Sequence, residues 1–190
     1  MPFGNGARPN WFLALAGIQA GVVGGLILLG YLGLDSAWHR RSIWSMPNLL
    51  ASTFYGESAY RPGFGARTSA GLALLLFLYG ILGALFGLVI RDHGSRLRVT
   101  LLGLIFGTGW FFLSFDILWN YVNPIVHLYS PDRAMLVGHL LYGGVLGGRF
   151  PAYLKSIRQL ENPVPVPPVE SPQALATSPG PETPPGGAVS

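Results

Sequence analysis

Residues 137–148 read VGHLLYGGVLGG and lie within an apolar run that extends from 134 to 153. At a rise of about 1.5 Å per residue, a helix of this length crosses the hydrocarbon core of a bilayer. Its glycines form two overlapping G-x-x-x-G pairs, Gly143 with Gly147 and Gly144 with Gly148, a spacing that lets a second helix pack closely. His139, one turn before these glycines, can change its charge near neutral pH. The stretch predicts a closely packed membrane-spanning helix that carries a histidine.

Three earlier runs have the same length and apolar character, at residues 11–34, 68–90 and 99–119, and the last span is expected over 134–154. The chain of 190 residues is 50% hydrophobic and 11% charged, whereas about a quarter of the residues in a soluble domain are charged. Glycines at the packing spacing recur in the earlier runs, at Gly17, Gly21 and Gly25, at Gly83 and Gly87, and at Gly103 and Gly107. We therefore predict an all-α, polytopic membrane protein with a four-transmembrane-helix bundle over 11–160.

The segment between the first two spans is polar but contains a short predicted helix. Trp38, Arg40, Arg41 and Trp44 mix aromatic and basic side chains, which is typical of the lipid headgroup level. A helix over about 46–55 follows and is too short to cross a bilayer, so an interfacial or re-entrant helix is expected. The four side chains are predicted to anchor the chain at the interface, and recognition of a lipid is the alternative.

Both ends of the chain are expected to lie outside the bundle. Residues 1–10 form a short polar segment, and nine of the last 28 residues are prolines, which predicts a disordered Pro-rich tail over 161–190. With four spans, seven basic residues lie on the side of the termini and five on the other side. The positive-inside rule then places both termini in the cytoplasm.

Two short motifs recur in the same order and indicate an internal repeat. D-x-x-W ends the first and third spans, beginning at Asp35 and Asp116, and Leu-Tyr-Gly occurs at 78–80 and at 141–143. These positions are 81 and 63 residues apart. Each half of the chain would then be a helical hairpin of the same orientation, related by an axis along the membrane normal.

Four glycine-paired spans, the last reading HLLYGGVLG over 139–147, resemble a broad group of uncharacterised bacterial inner-membrane proteins, the YagU-like families. The resemblance covers roughly residues 11–155 and excludes the tail. The long first loop with Trp38 and Trp44 has no counterpart in it. The resemblance implies a membrane location, and it carries over no catalytic residue.

Asp116 and His139 form the candidate intramembrane polar site. Asp116 lies near the end of the third span and His139 about two turns inside the fourth, so antiparallel neighbours could bring them to a similar depth. An ionisable group inside a membrane points to function, which here would be a proton-linked or cation-binding site. The alternatives are a structural hydrogen bond from His139 and a loop cap from Asp116.

Most other chemistries lack their residues. The chain has no cysteine, which excludes disulfides, cysteine nucleophiles and Cys-ligated clusters. No G-x-S-x-G or phosphate-binding loop occurs, and His127, Asp132 and His139 do not have a recognised metal-ligand spacing. The net charge of +4 is spread over the loops and forms no basic face for nucleic acid. We predict no catalytic residue, no metal and no cofactor.

Three functions remain open. The first is a non-enzymatic helix-packing, structural or accessory subunit, whose partners are the lipid bilayer and either a second copy or another membrane protein. The alternative is a small dimeric transporter or channel with its proton-linked site at Asp116 and His139. The third is a lipid-modifying enzyme that acts at the outer interface.

Overall fold

The computed structural model describes residues 10–59, 63–90 and 95–161. Every regular element in these ranges is a helix, so the all-α class is confirmed for this part of the chain. The N-terminal segment up to residue 9 and the Pro-rich tail beyond residue 161 lie outside the described residues, and so does the prediction of disorder there.

Three helices are long and apolar enough to cross a membrane. Helix α1 covers Trp11–Trp38 and α3 covers Ala66–Ile90, with the short helix α2, Ser45–Tyr55, between them. The third runs from Arg96 to Val122 and consists of α4 (Arg96–Phe112), a π-helical segment (Leu113–Trp119) and α5 (Asn120–Val122). A short α6, Pro124–Tyr129, leads to α7, Asp132–Glu161, which is the longest helix at 30 residues.

Helices α1 and α3 meet at backbone distance. A Cβ placed on Gly17 would overlap the backbone carbonyl of Gly83, and one placed on Gly83 would overlap the carbonyl of Gly17. Gly21 faces the carbonyl of Tyr79 in the same manner. Because the contacts advance along α1 while they retreat along α3, the two helices are antiparallel. Only glycine fits at these positions without a shift of the backbone.

Helices α4 and α7 repeat this arrangement. Gly103 and Gly143 face each other's carbonyls, and Gly107 lies against the carbonyl of His139. The two hairpins therefore make equivalent contacts at positions that are 86 residues apart on the outgoing helix and 60 apart on the returning one. In the hairpin of α1 and α3 the contacting residues are Leu13, Gly17, Gly21, Tyr79, Gly83 and Gly87. Their equivalents in the hairpin of α4 and α7, in the same order, are Val99, Gly103, Gly107, His139, Gly143 and Gly147.

This register differs from the one that the short motifs predict. Leu-Tyr-Gly at 78–80 and 141–143 would match Tyr79 with Tyr142, whereas the helix contacts match Tyr79 with His139. The difference arises because Leu, Tyr and Gly are common in apolar helices, so a three-residue coincidence does not fix which residues face a neighbour. The backbone approach at the glycines does fix it.

The hairpins join through α1 and α7, while α3 and α4 make little contact. Gly24 of α1 lies against the ring of Tyr142, where an added Cβ would come within 2.8 Å of the ring. The equivalent position on α4, 86 residues later, is Trp110, whose side chain faces a cavity shared with Leu78 and Tyr79 of α3. The small residue lets α1 and α7 touch, and the indole holds α4 away from α3. The helices follow each other in the order α3, α1, α7, α4.

Helix α2 packs against α3. Residues 46–52 are all buried, and Gly71 of α3 lies directly against the carbonyl of Pro47. Met46 and Leu50 reach the same cavity as His139. This helix is therefore packed into the bundle along most of its length. We call the end of the bundle where α1 ends, α3 begins and α2 and α6 lie the α2 end.

Candidate functional site

The structure separates the two residues of the predicted polar site. His139 is 1% exposed about two turns into α7, whereas Asp116 is exposed on the π-helical segment. No hydrogen bond or ion pair within the described ranges joins them. Ser114, Phe115 and Trp119 of the same segment are buried, so Asp116 lies beside the packed face of its helix and not on it.

His139 has a partner on each ring nitrogen. Nδ1 lies 2.7 Å from the backbone carbonyl of Met135, and Nε2 lies 3.0 Å from the hydroxyl of Tyr79. A carbonyl can only accept, so Nδ1 carries the proton and donates it, and Nε2 accepts the hydrogen bond that Tyr79 donates. The neutral imidazole is therefore fully paired, and its tautomer is set by the backbone of its own helix.

Three aromatic side chains surround this histidine, and together we call the four residues the central cluster: Tyr79, Phe111, His139 and Tyr142. The Tyr142 hydroxyl donates to the backbone carbonyl of Tyr79 at 3.2 Å, and the two tyrosine rings meet edge to face at 4.6 Å between centroids. The Phe111 ring lies 5.6 Å from that of His139. The cluster ties α3 to α7 through hydrogen bonds that are shielded from solvent, and the Phe111 ring of α4 packs against it. Tyr79 and His139 are also the equivalent residues of the two hairpins.

The central cluster has little room for a ligand. The cavity beside it has a volume of about 20 Å³, which holds about one water molecule. Its lining is almost wholly apolar apart from Ser114, Tyr79 and His139. This arrangement suits a structural hydrogen bond better than a binding site for a solute.

A much larger cavity, of about 350 Å³, opens at the α2 end between α1, α2 and the segment after α6. Its lining mixes apolar side chains, among them Leu32, Met46 and Leu49, with the polar side chains of Ser36, Arg41, Ser42, Ser45 and Asn48, and it also includes Tyr129 and Pro131. We call this space the α2-end cavity. Its size is in the range of small-molecule sites, and its mixed lining suits a molecule with a polar and an apolar part.

Arg41 is the charged group of the α2-end cavity. The chain turns back at Arg40, whose φ of 57° is in the left-handed region, and the Arg41 amide then donates to the carbonyl of Ser36 at 2.8 Å. The guanidinium donates to the carboxylate of Asp35 at 3.2 Å. That carboxylate also lies 3.5 Å from Nδ1 of His39. Asp35 thus holds the side chain of Arg41 against the end of α1.

The other predicted interfacial residues surround this cavity without lining it. Trp38 is 86% exposed at the end of α1, and Arg40 is exposed next to Arg41. Trp44 packs against Phe64, with 5.0 Å between ring centroids. Of the four, only Arg41 faces the cavity. The sequence analysis did not single out Ser42, Ser45 or Asn48, because isolated polar residues in a loop give no pattern.

All eleven glycines predicted to pack helices lie in described helices. Eight of them form the backbone contacts within the two hairpins. Gly25 faces the side chain of Tyr79, while Gly144 and Gly148 lie near Leu104 and Thr100 at ordinary contact distance. The close-packing faces are therefore occupied by the chain's own helices and are not left for a partner.

Among the described residues, no group of three or more His, Cys, Asp or Glu lies close enough to hold a metal ion. His127 of the candidate metal set packs against Phe115 at 4.5 Å between ring centroids.

Comparison of the chain with protein families, with curated proteins and with solved structures finds no match.

Proposed function

We propose that this chain is a non-enzymatic, four-span membrane protein that binds an amphiphilic molecule in the α2-end cavity. The observation that carries the proposal is the cavity itself, whose lining combines Arg41 with apolar residues such as Leu32 and Leu49. The glycine faces are used within the chain. An accessory role at the bilayer is therefore better supported than a role in helix packing with a partner. The resemblance to YagU-like proteins remains a prediction.

The fourth span of the proposal is α7. It lies antiparallel beside α4 from Gly147 at Val99 to His139 at Gly107, and beside α1 where Gly24 meets Tyr142. Thirty helical residues extend about 45 Å, longer than the roughly 30 Å hydrocarbon core. Its glycines and His139 make it less apolar than the other three, but they face α1, α3 and α4 and not lipid.

The equivalent contacts of the two hairpins support an origin by duplication. Both hairpins use three backbone approaches at four-residue spacing, and the hydrogen bond from Tyr79 to His139 joins equivalent positions across the pair. We propose parallel repeats of this kind, with both termini in the cytoplasm of a bacterial inner membrane and the α2 end outside.

Single cysteines test the topology directly, because the chain has none of its own. Ser58→Cys is at the exposed α2 end, and Ser156→Cys is exposed near the end of α7. In spheroplasts, a membrane-impermeant maleimide should label Ser58→Cys at once and Ser156→Cys only after permeabilisation. Labelling of both from outside would show that α7 does not cross, and the reverse pattern would show the opposite orientation.

Filling the cavity tests the binding proposal. Ser45→Trp places an indole in the lining, whereas Ile43→Trp places it on an exposed position two residues earlier. We expect native mass spectrometry to find a retained lipid on the wild type and on Ile43→Trp, and none on Ser45→Trp. Circular dichroism and thermal unfolding show that each variant is folded. Equal retention by all three proteins would refute amphiphile binding in this cavity.

A small transporter is the second candidate, favoured by one observation. Leu32 and Met46 line both the α2-end cavity and the small cavity at His139. Movement of these two side chains would connect the cavities and give His139 access to the α2 end. Asp116 takes no part in that route, because it is exposed and lines neither cavity.

A lipid-modifying enzyme is the weakest of the three. A serine nucleophile needs a base within hydrogen-bond reach, and the described residues that line the α2-end cavity include no histidine and no carboxylate. The hydroxyl of Ser45 instead donates to the carbonyl of Ser42, and that of Ser42 accepts from the amide of Trp44. Both hydroxyls shape the turn that leads into α2.

A further inference from the structure

We propose that the polar end of the bound amphiphile is a phosphate group held by Arg41, so that the ligand is a phosphate-bearing lipid. This inference rests on the proposed function, since it names the ligand class of the same cavity. It is carried by the unused donors of Arg41 and by the apolar side chains of the same cavity lining.

Arg41 has more donors than its partners in the chain use. A guanidinium carries five N–H groups in a planar fork, and within the described ranges the side chain of Arg41 gives one hydrogen bond, to Asp35. The group lines the cavity, and the side chain is 41% exposed. Asp35 takes one N–H group of the fork, and the others have no hydrogen-bond partner among the described residues. Such a fork matches the paired oxygens of a phosphate.

The surroundings of Arg41 favour an anion. The first turn of α2 contains no acidic residue, and Ser45, Met46 and Asn48 of that turn line the cavity. Ser36 and Ser42 add hydroxyls, which can donate to phosphate oxygens. Asp35 is the carboxylate beside the site, and it forms an ion pair with Arg41. A phosphate next to Arg41 would therefore bind through the remaining N–H donors of the guanidinium and not through an unbalanced charge.

The apolar side chains of the lining indicate that the phosphate belongs to a lipid. Leu32, Met46 and Leu49 give a free phosphate ion nothing to bind, but they can contact the first methylene groups of an acyl chain. Trp38 and Trp44 lie three residues before and three residues after Arg41 in the chain, and aromatic residues of this kind are typical of the headgroup level of a membrane. The cavity volume of about 350 Å³ takes a headgroup and the start of one chain, and the remainder of the lipid would stay in the bilayer.

The test is a titration of the full chain in detergent micelles, read by native mass spectrometry. The probes are a short-chain phosphatidylglycerol, a diacylglycerol with the same chains and no phosphate, and inorganic phosphate. Arg41→Gln removes the proposed phosphate ligand, and Arg40→Gln removes the same charge one residue away, where the side chain is exposed. We expect Arg41→Gln to weaken phosphatidylglycerol about 10–100-fold and Arg40→Gln to change it by less than about 3-fold.

Each outcome decides a separate point. Unchanged phosphatidylglycerol binding by Arg41→Gln, with binding still lost in Ser45→Trp, would overturn the phosphate assignment and leave the proposed function standing. Equal binding of diacylglycerol by the wild type would overturn it as well. Inorganic phosphate that binds as tightly as phosphatidylglycerol would overturn the assignment to a lipid. No binding of any probe would refute both proposals.

If Arg41→Gln fails to fold, the double variant Asp35→Asn/Arg41→Gln removes both charges of the ion pair together. Its binding of phosphatidylglycerol is then compared with that of Asp35→Asn.

Discussion

Gly17→Ala and Gly83→Ala are expected to lower the free energy of unfolding by about 2–3 kcal/mol each, or to prevent folding altogether. The added methyl group would overlap the backbone carbonyl of the facing helix, and a backbone group cannot rotate aside as a side chain can. The hairpin of α1 and α3 must therefore open along its length, which loses van der Waals contacts at every neighbouring position. The same result is expected for Gly103→Ala and Gly143→Ala in the second hairpin, where the contacts are equivalent.

Gly30→Ala is the matched control on α1. A Cβ at Gly30 would meet no atom within 4 Å, and the position is exposed. Alanine favours the helix over glycine by up to about 1 kcal/mol, so this variant should be as stable as the wild type or more stable. Reversible unfolding in mixed micelles, followed by circular dichroism, gives the free energies. If Gly17→Ala matched Gly30→Ala, the backbone contact between α1 and α3 would be wrong.

The sequence predicted the helical class correctly, but it could not predict which helices pair. A G-x-x-x-G pair shows only that a face is small, and any other small face can fill it. Pairing within each hairpin follows from chain connectivity, whereas the contact of α1 with α7 depends on Gly24 and on the bulk of Trp110 at the equivalent position. The comparison of Gly24 with Trp110 requires the register of the repeat. The Leu-Tyr-Gly motif predicts a different register from the one that the helix contacts give.

The position of Asp116 could have been inferred from the sequence. Gly103 and Gly107 continue at four-residue spacing to Phe111 and Phe115, all of which are buried. Asp116 lies one residue off this face and is exposed. His139, in contrast, lies four residues before Gly143, on the packed face of α7. The prediction that Asp116 and His139 form a pair considered only their depth in the membrane. The two residues point in different directions around their helix axes, and this separates them.

The α2-end cavity lay beyond the reach of sequence reasoning. Its walls come from the end of α1, the start of α2 and the segment after α6, which are far apart in the chain. The sequence showed Arg41 as one of several basic residues between tryptophans. Only the turn at Arg40 and the contact with Asp35 distinguish Arg41 from its neighbour.

Tyr79→Phe and His139→Leu are expected to lower the free energy of unfolding by about 1–3 kcal/mol each. Either change leaves a buried polar group without its partner, either Nε2 of His139 or the hydroxyl of Tyr79. The double variant Tyr79→Phe/His139→Leu removes both groups and should cost less than the sum of the single changes. The coupling expected for a hydrogen bond between membrane helices is about 0.6–1.7 kcal/mol.

Asp116→Asn separates the structural role of His139 from a proton-linked one. Because Asp116 is exposed and has no bond to His139, the variant should remain within about 0.5 kcal/mol of the wild type. Combined with His139→Leu, it should be additive within about 0.5 kcal/mol at every pH from 5 to 8. A larger, pH-dependent coupling would show that the two residues share a charge or a proton, and the transporter hypothesis would then replace the lipid-binding one. Additivity with Asp116, alongside coupling with Tyr79, would leave His139 as the polar bond that holds α7 to α3.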